Sequence, residues 1–146
     1  MIRLALLALL AATPAISTPA LADTVPGGIE ALNDFRADQG LDPVTANAQL
    51  EQAAETHAAD LARTGRFSHE GSDGSSVGDR AREAGYRWCF IAENIAKGQR
   101  SLPEVMTGWK NSEGHRRNMV AERATEAALI RGDQDIWVMV LGTPGC

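Results

Sequence analysis

The sequence predicts an α+β fold: a three-layer α-β-α sandwich around a small, mainly antiparallel central sheet. Apolar residues recur at helical spacing through much of the middle of the chain. Near the C-terminus the period drops to two, with two apolar runs around the turn RGDQD in TEAALIRGDQDIWVMVLG. The second run is apolar on both alternating sets, Trp137, Met139 and Leu141 on one and Ile136, Val138 and Val140 on the other. A strand apolar on both faces has to be covered on both faces. With several helices available, the economical arrangement places helical layers on either side of the sheet.

The elements follow in order. GGIEALNDFRADQG places Ile29, Leu32 and Phe35 on one side and ends in Gly40, an amphipathic helix with a glycine stop. LDPV is extended, because Pro43 disfavours helix at Asp42. Asn47 caps a second helix, in which Leu50, Ala54, His57 and Leu61 share a face and which Gly65 ends. That spacing puts His57 in the core, hydrogen-bonded to backbone. FSHEGSDGSS is a loop, with Phe67 as its expected anchor and His69 beside it. SVGDRAREAG is a third helix, capped by Ser75 or Ser76 and ended by Gly85. Trp88 to Ile91 form a short strand leading to Glu93 and Asn94. Ser101 and Glu104 form a capping box for LPEVMTGWKNS, and EGHRRNMV is a turn with a short helical piece carrying His115.

At 146 residues, with 44% hydrophobic and 23% charged residues, the chain suits one globular domain. A formal net charge of −5 disfavours nucleic acid and anionic lipid surfaces as partners. Residues 1–22 have the layout of a secretory signal peptide: Arg3, an apolar run from Leu4 to Ala12, then Ala20-Leu21-Ala22. Cleavage is expected after Ala22, leaving 23–146 as a single domain. The apolar run is too short to span a membrane comfortably, and no cysteine follows the cleavage site. The expected product is a secreted or periplasmic monomer without a stable membrane anchor. In an oxidising compartment Cys89 and Cys146 suggest a disulfide, worth on the order of 4 kcal/mol by loop entropy. The alternative is two free thiols, one buried and one at the chain end.

Several chemistries lack their motif. There is no H-E-x-x-H, no G-x-S-x-G, no G-x-G-x-x-G and no P-loop. Cys89 sits in an apolar run and is a poor nucleophile. What remains is His69 after a helix, Glu93 after a strand, and Glu113 with His115 in a turn. Two imidazoles and a carboxylate suit a divalent ion such as zinc, or a charge-assisted hydrogen-bond cluster.

FSH, AENIAKG, VMTGWKNSEGHRRNM and the final IWVMVLG, in that order, resemble the CAP superfamily, the SCP-like extracellular or cysteine-rich secretory, antigen 5 and pathogenesis-related 1 domain, in its short bacterial form. The resemblance covers nearly all of the chain after the leader. It implies an α-β-α sandwich and a cleft whose histidines are His69 and His115 and whose glutamate is Glu93. Longer members carry a second glutamate three residues after the tryptophan; here that position is Ser112, with Glu113 adjacent, and both are taken as cleft-supporting residues. Many members also have Gly-Val-Gly where this chain has Ala127-Ala128-Leu129.

No activity transfers with the fold. The leading expectation is a secreted binding module whose His69 and His115 take zinc or another divalent cation. Its ligand is an unspecified small molecule, lipid or extracellular partner. The alternatives are a hydrolase, peptidase-like or metal-assisted, with His69, Glu93 and His115 as candidate catalytic residues, and a lipid- or sterol-binding protein. Without an activated nucleophile in the sequence, the reading leans away from an enzyme.

Overall fold

In the computed structural model, which describes residues 23–146, the strand with two apolar faces lies inside the sheet. The leader and the cleavage point after Ala22 lie outside the described residues. The elements are β1 (Asp23–Thr24), α1 (Gly28–Asp38), β2 (Thr45–Ala46), α2 (Ala48–Thr64), α3 (Val77–Glu83), β3 (Trp88–Lys97), α4 (Leu102–Asn111), α5 (Glu113–Met119), β4 (Glu126–Gly132) and β5 (Ile136–Pro144). The sheet order is β1-β4-β5-β3, antiparallel throughout, with β2 added in parallel to β4. The sheet is therefore mixed, though its one parallel pairing among the described residues is two residues long. β1 and β2 share the outer edge of β4, at Ile130–Arg131 and Glu126–Ala127 respectively.

The two faces of β5 divide the core as the alternation requires. Trp137, Met139 and Leu141 join Leu32, Phe35, Val105, Trp109 and Met119, under α1, α4 and α5. Ile136, Val138 and Val140 join Leu50, Ala54, Leu61 and Ala81, under α2 and α3. β4 repeats the division, with Ala127 and Leu129 on the first side and Ala128 and Ile130 on the second. The leucine at position 129 is accommodated by the helix facing it. A Cβ on Gly28 would stand 2.8 Å from Leu129 Cδ2, so the missing side chain on α1 makes the room.

Local signals place the elements. Asn47 Oδ1 accepts from the backbone N–H of Gln49 and Leu50, and Gly65 ends α2 at φ 69°. Ser76, not Ser75, caps α3, in a full capping box with Asp79. At α4 the expected box is only half formed. Ser101 Oγ accepts from Glu104 N, but the Glu104 carboxylate accepts from Arg100 N instead of Ser101 N. Cys89 and Cys146 form a disulfide with Cα atoms 5.0 Å apart, tying the C-terminus to β3.

The strand expected to end at Ile91 continues to Lys97, so Glu93 lies mid-strand. The extension comes from pairing: β3 stays in register with β5 from Phe90↔Thr143 to Lys97↔Ile136, and this outweighs the weak strand propensity of Glu93 and Asn94.

Candidate functional site

β3 is an end strand of the sheet, and its alternation delivers Glu93 and Asn94 to opposite layers. Glu93 faces α2 and α3. Its Oε2 accepts from Arg80 Nη2 at 2.8 Å, and its Oε1 lies 2.8 Å from His69 Nδ1 and 3.7 Å from His57 Nε2. The side chains of Glu93, Arg80 and His57 are all but inaccessible, whereas that of His69 is 59% exposed. A carboxylate held by a guanidinium can only accept, so His69 Nδ1 carries the proton of the shared bond. His69 Nε2 is then left without a protein partner among the described residues.

The loop bearing His69 is fastened from beneath. His57 Nε2 donates to Ser68 O (2.9 Å), and Asp60 accepts from Ser72 N and Oγ (2.7 and 2.6 Å). Arg80 donates to Ser75 O and His69 O. His57 Nδ1 and Arg80 Nε, both buried, have no hydrogen-bond partner among the described residues, and both residues border a cavity of about 200 Å³. Burial holds the His57 pKa below its ordinary value of 6.5, with Arg80 adding to the effect and Glu93 opposing it. The neutral ring is therefore the native form. In the unfolded chain, protons bind as the pH falls below about 6.5, so stability is full above that value and declines beneath it. The slope reaches at most about 1.4 kcal/mol per pH unit, until the folded ring titrates too. The unfolding midpoint is expected to fall less between pH 7.5 and 5 in His57→Gln, whose amide keeps the Ser68 contact; parallel wild-type and variant curves would refute the assignment.

On the other side of β3, Asn94 Nδ2 donates to His115 O, and Asn118 Nδ2 donates to Glu93 O and Asn94 Oδ1. Trp109 Nε1 donates to Ile95 O, and Arg123 donates to Cys89 O. Trp109, Asn118 and Arg123 thereby occupy β3 carbonyls that an end strand would otherwise leave open to another chain. The segment W-x-x-S-x-G-H-R-x-N thus closes the sheet edge while it aims His115. His115 Nδ1 lies 2.8 Å from Ser112 Oγ, leaving its Nε2, like that of His69, without a protein partner among the described residues. The His115 pKa is lowered, by burial first and then by a repulsive contribution from His69.

His69 and Glu93 border a depression of about 440 Å³, and His115 and Ser112 border a second of about 530 Å³ with Phe67, Val105 and Trp109. Two expectations are corrected. Phe67 is not an anchor: it is 51% exposed, at the rim of the second depression where the loop leaves α2. Glu113 does not support the cleft; its side chain is 91% exposed and pairs with Arg117 one helical turn on. Ser112 takes the contact with His115. His57 is buried and bonded to backbone, and in addition approaches Glu93. Arg80 went unnoticed in the sequence, where an arginine in GDRARE reads as solvent-facing. Among the described residues no group of three or more His, Cys, Asp or Glu side chains is arranged to hold a metal ion.

Fold and side-chain placement together define an α-β-α domain with His69, Glu93 and His115 set along the β3 edge of its sheet, bordering two depressions. The chain belongs to the CAP, cysteine-rich secretory protein family, whose model matches residues 29–135. It is 35% identical over 101 residues to YkwD of Bacillus subtilis, covering 69% of this chain and 39% of that protein. An extracellular protein of Bacillus anthracis containing an SCP domain superposes with a TM-score of 0.74 at 25% identity, covering 80% of this chain and 40% of that one. A cysteine-rich secretory protein of Staphylococcus aureus gives 0.69 at 18% identity, covering 88% and 40%. The chain thus spans about two fifths of the length of each of these relatives.

Proposed function

We propose that the protein is a secreted or periplasmic binding module whose His69 and His115 present Nε2 to a divalent cation such as zinc. The supporting observation is that both rings have Nδ1 tied, to Glu93 and Ser112, while Nε2 has no protein partner among the described residues. A histidine whose other ring nitrogen donates to a carboxylate is the usual form of a metal-ligating imidazole. Two nitrogens are fewer than the three protein ligands of a catalytic zinc site, so solvent or a bound molecule would complete the shell. Export rests on the sequence of residues 1–22 and on the extracellular relative.

Glu93 is the support of this site and not a ligand. Both its oxygens are engaged, which also counts against the hydrolase reading, where Glu93 would have to be a free base. The second depression, with its half-exposed Phe67 beside Trp109, is the place for an apolar group of a bound small molecule or extracellular partner.

Zinc titration followed by calorimetry is expected to show binding at least about tenfold tighter for the wild type than for His69→Ala/His115→Ala, as for the loss of two nitrogen ligands. Equally weak uptake by both proteins would remove the metal from the proposal.

A further inference from the structure

We propose that Arg80 is a positioning residue of the cleft: through Glu93 it fixes His69 as the Nδ1–H tautomer, so that the Nε2 lone pair is what the cleft offers. This deepens the reading of His69 as a ligand-presenting group and rests on it. A ring that is 59% exposed on a serine- and glycine-rich loop has no orientation of its own. One nitrogen of the Arg80 guanidinium supplies it twice over. Nη2 donates to the His69 carbonyl at 3.2 Å and to Glu93 Oε2 at 2.8 Å, holding the backbone of His69 and the partner of its ring. Nη1 is committed to Ser75, to its carbonyl oxygen at 2.8 Å and its hydroxyl at 3.3 Å, which fixes the plane of the fork.

With Oε2 so held, Glu93 Oε1 stands 2.8 Å from His69 Nδ1. The competing donor, His57 Nε2, is 3.7 Å away and donates to Ser68 O. The geometry therefore leaves one bond for Oε1, and that bond sets the tautomer. Lysine would reproduce this only in part: one ammonium nitrogen could meet the two acceptors of Nη2, but not the Ser75 oxygens held by Nη1 that fix the plane of the fork.

The test is a long-range proton–nitrogen correlation spectrum of the imidazoles in metal-free protein near pH ~8.5, about two units above the ordinary histidine value. In the wild type the Nδ1–H form of His69 is expected to exceed Nε2–H by about tenfold or more, the scale of one charge-assisted hydrogen bond. In Arg80→Met that excess is expected to collapse toward the mixture of an unconstrained ring. The His115 signals, set by Ser112, should not move and serve as an internal control. A wild-type His69 found chiefly as Nε2–H, or a folded Arg80→Met with the wild-type ratio, would overturn the proposal. Should Arg80→Met not fold, Arg80→Gln decides: it keeps a polar side chain but neither the charge nor the fork, so its ratio must drop at least about threefold, and an unchanged ratio refutes the positioning role. Because no metal is present, failure of zinc binding and failure of this tautomer assignment are separate results.

Discussion

Glu93→Ala is expected to destabilise the protein by about 3–5 kcal/mol, because it strands a buried guanidinium without its countercharge. Arg80 and Glu93 are each about 2% exposed in their side chains and lie 2.8 Å apart. Removing the carboxylate also releases His69 and leaves Arg80 Nη2 with only the His69 carbonyl to receive it. Glu93→Gln keeps the volume and one acceptor, so its loss should be smaller. The informative companion is Arg80→Met/Glu93→Leu. Apolar replacement of a whole buried pair is often neutral, so the double variant should recover most of the stability lost by Glu93→Ala. Urea unfolding of all three reads this directly. A Glu93→Ala protein within about 1 kcal/mol of wild type would mean that water reaches Arg80 and that the network contributes little to the fold.

That comparison also separates holding the fold from serving the cleft. The double variant would restore the packing between β3 and α3 but no acceptor for His69 Nδ1. A protein that regains stability and loses the zinc affinity of the wild type is the expected combination.

What the sequence disclosed, and what it hid, follows from the range of the interactions. β5 was legible because its two apolar sets report separately on two helical layers, a local pattern with a global meaning. The caps at Asn47 and Gly65 and the turn before Ile136 were legible because their chemistry acts within a few residues. Arg80 was not. Its partner is 13 positions away across α3 and β3, and nothing in GDRARE distinguishes an arginine that turns inward. Phe67 misled for the converse reason: an aromatic after a helix ordinarily finds a cover, and whether one exists depends on elements far along the chain. His69, Glu93 and His115 came from motif resemblance, and spacing alone would not have joined them. Ser112 and Glu113 were weighed as equals, though only the serine is turned to the His115 ring.

Trp109→Ala should cost a comparable amount, about 3–5 kcal/mol, the range for truncating a large buried aromatic. The residue is 2% exposed, and among the described residues only Trp109 and Trp137 are tryptophans of a buried core otherwise rich in alanine and small aliphatics, so little nearby can collapse into the space. Two effects are combined in that figure, and Trp109→Phe separates them. Phenylalanine retains most of the packing but has no N–H for Ile95 O, which the indole Nε1 meets at 3.3 Å. Its cost should be nearer the ~1–3 kcal/mol of an acceptor left without its donor. The same N–H guards the end strand, so Trp109→Phe should also show more concentration-dependent association than the wild type, through the carbonyl it exposes. Equal stability of Trp109→Phe and wild type, with no added association by sedimentation, would show that water covers Ile95 O as well as the indole does. Near the cleft, the Trp109 ring lies 6.5 Å from that of His115, and both border the second depression. Trp109→Ala should therefore broaden or shift the His115 signals while leaving those of His69, held by Glu93 and Arg80 on the other face of β3, in place. That asymmetry follows from the sheet itself: one strand separates the two halves of the cleft, and each half is fastened to its own layer.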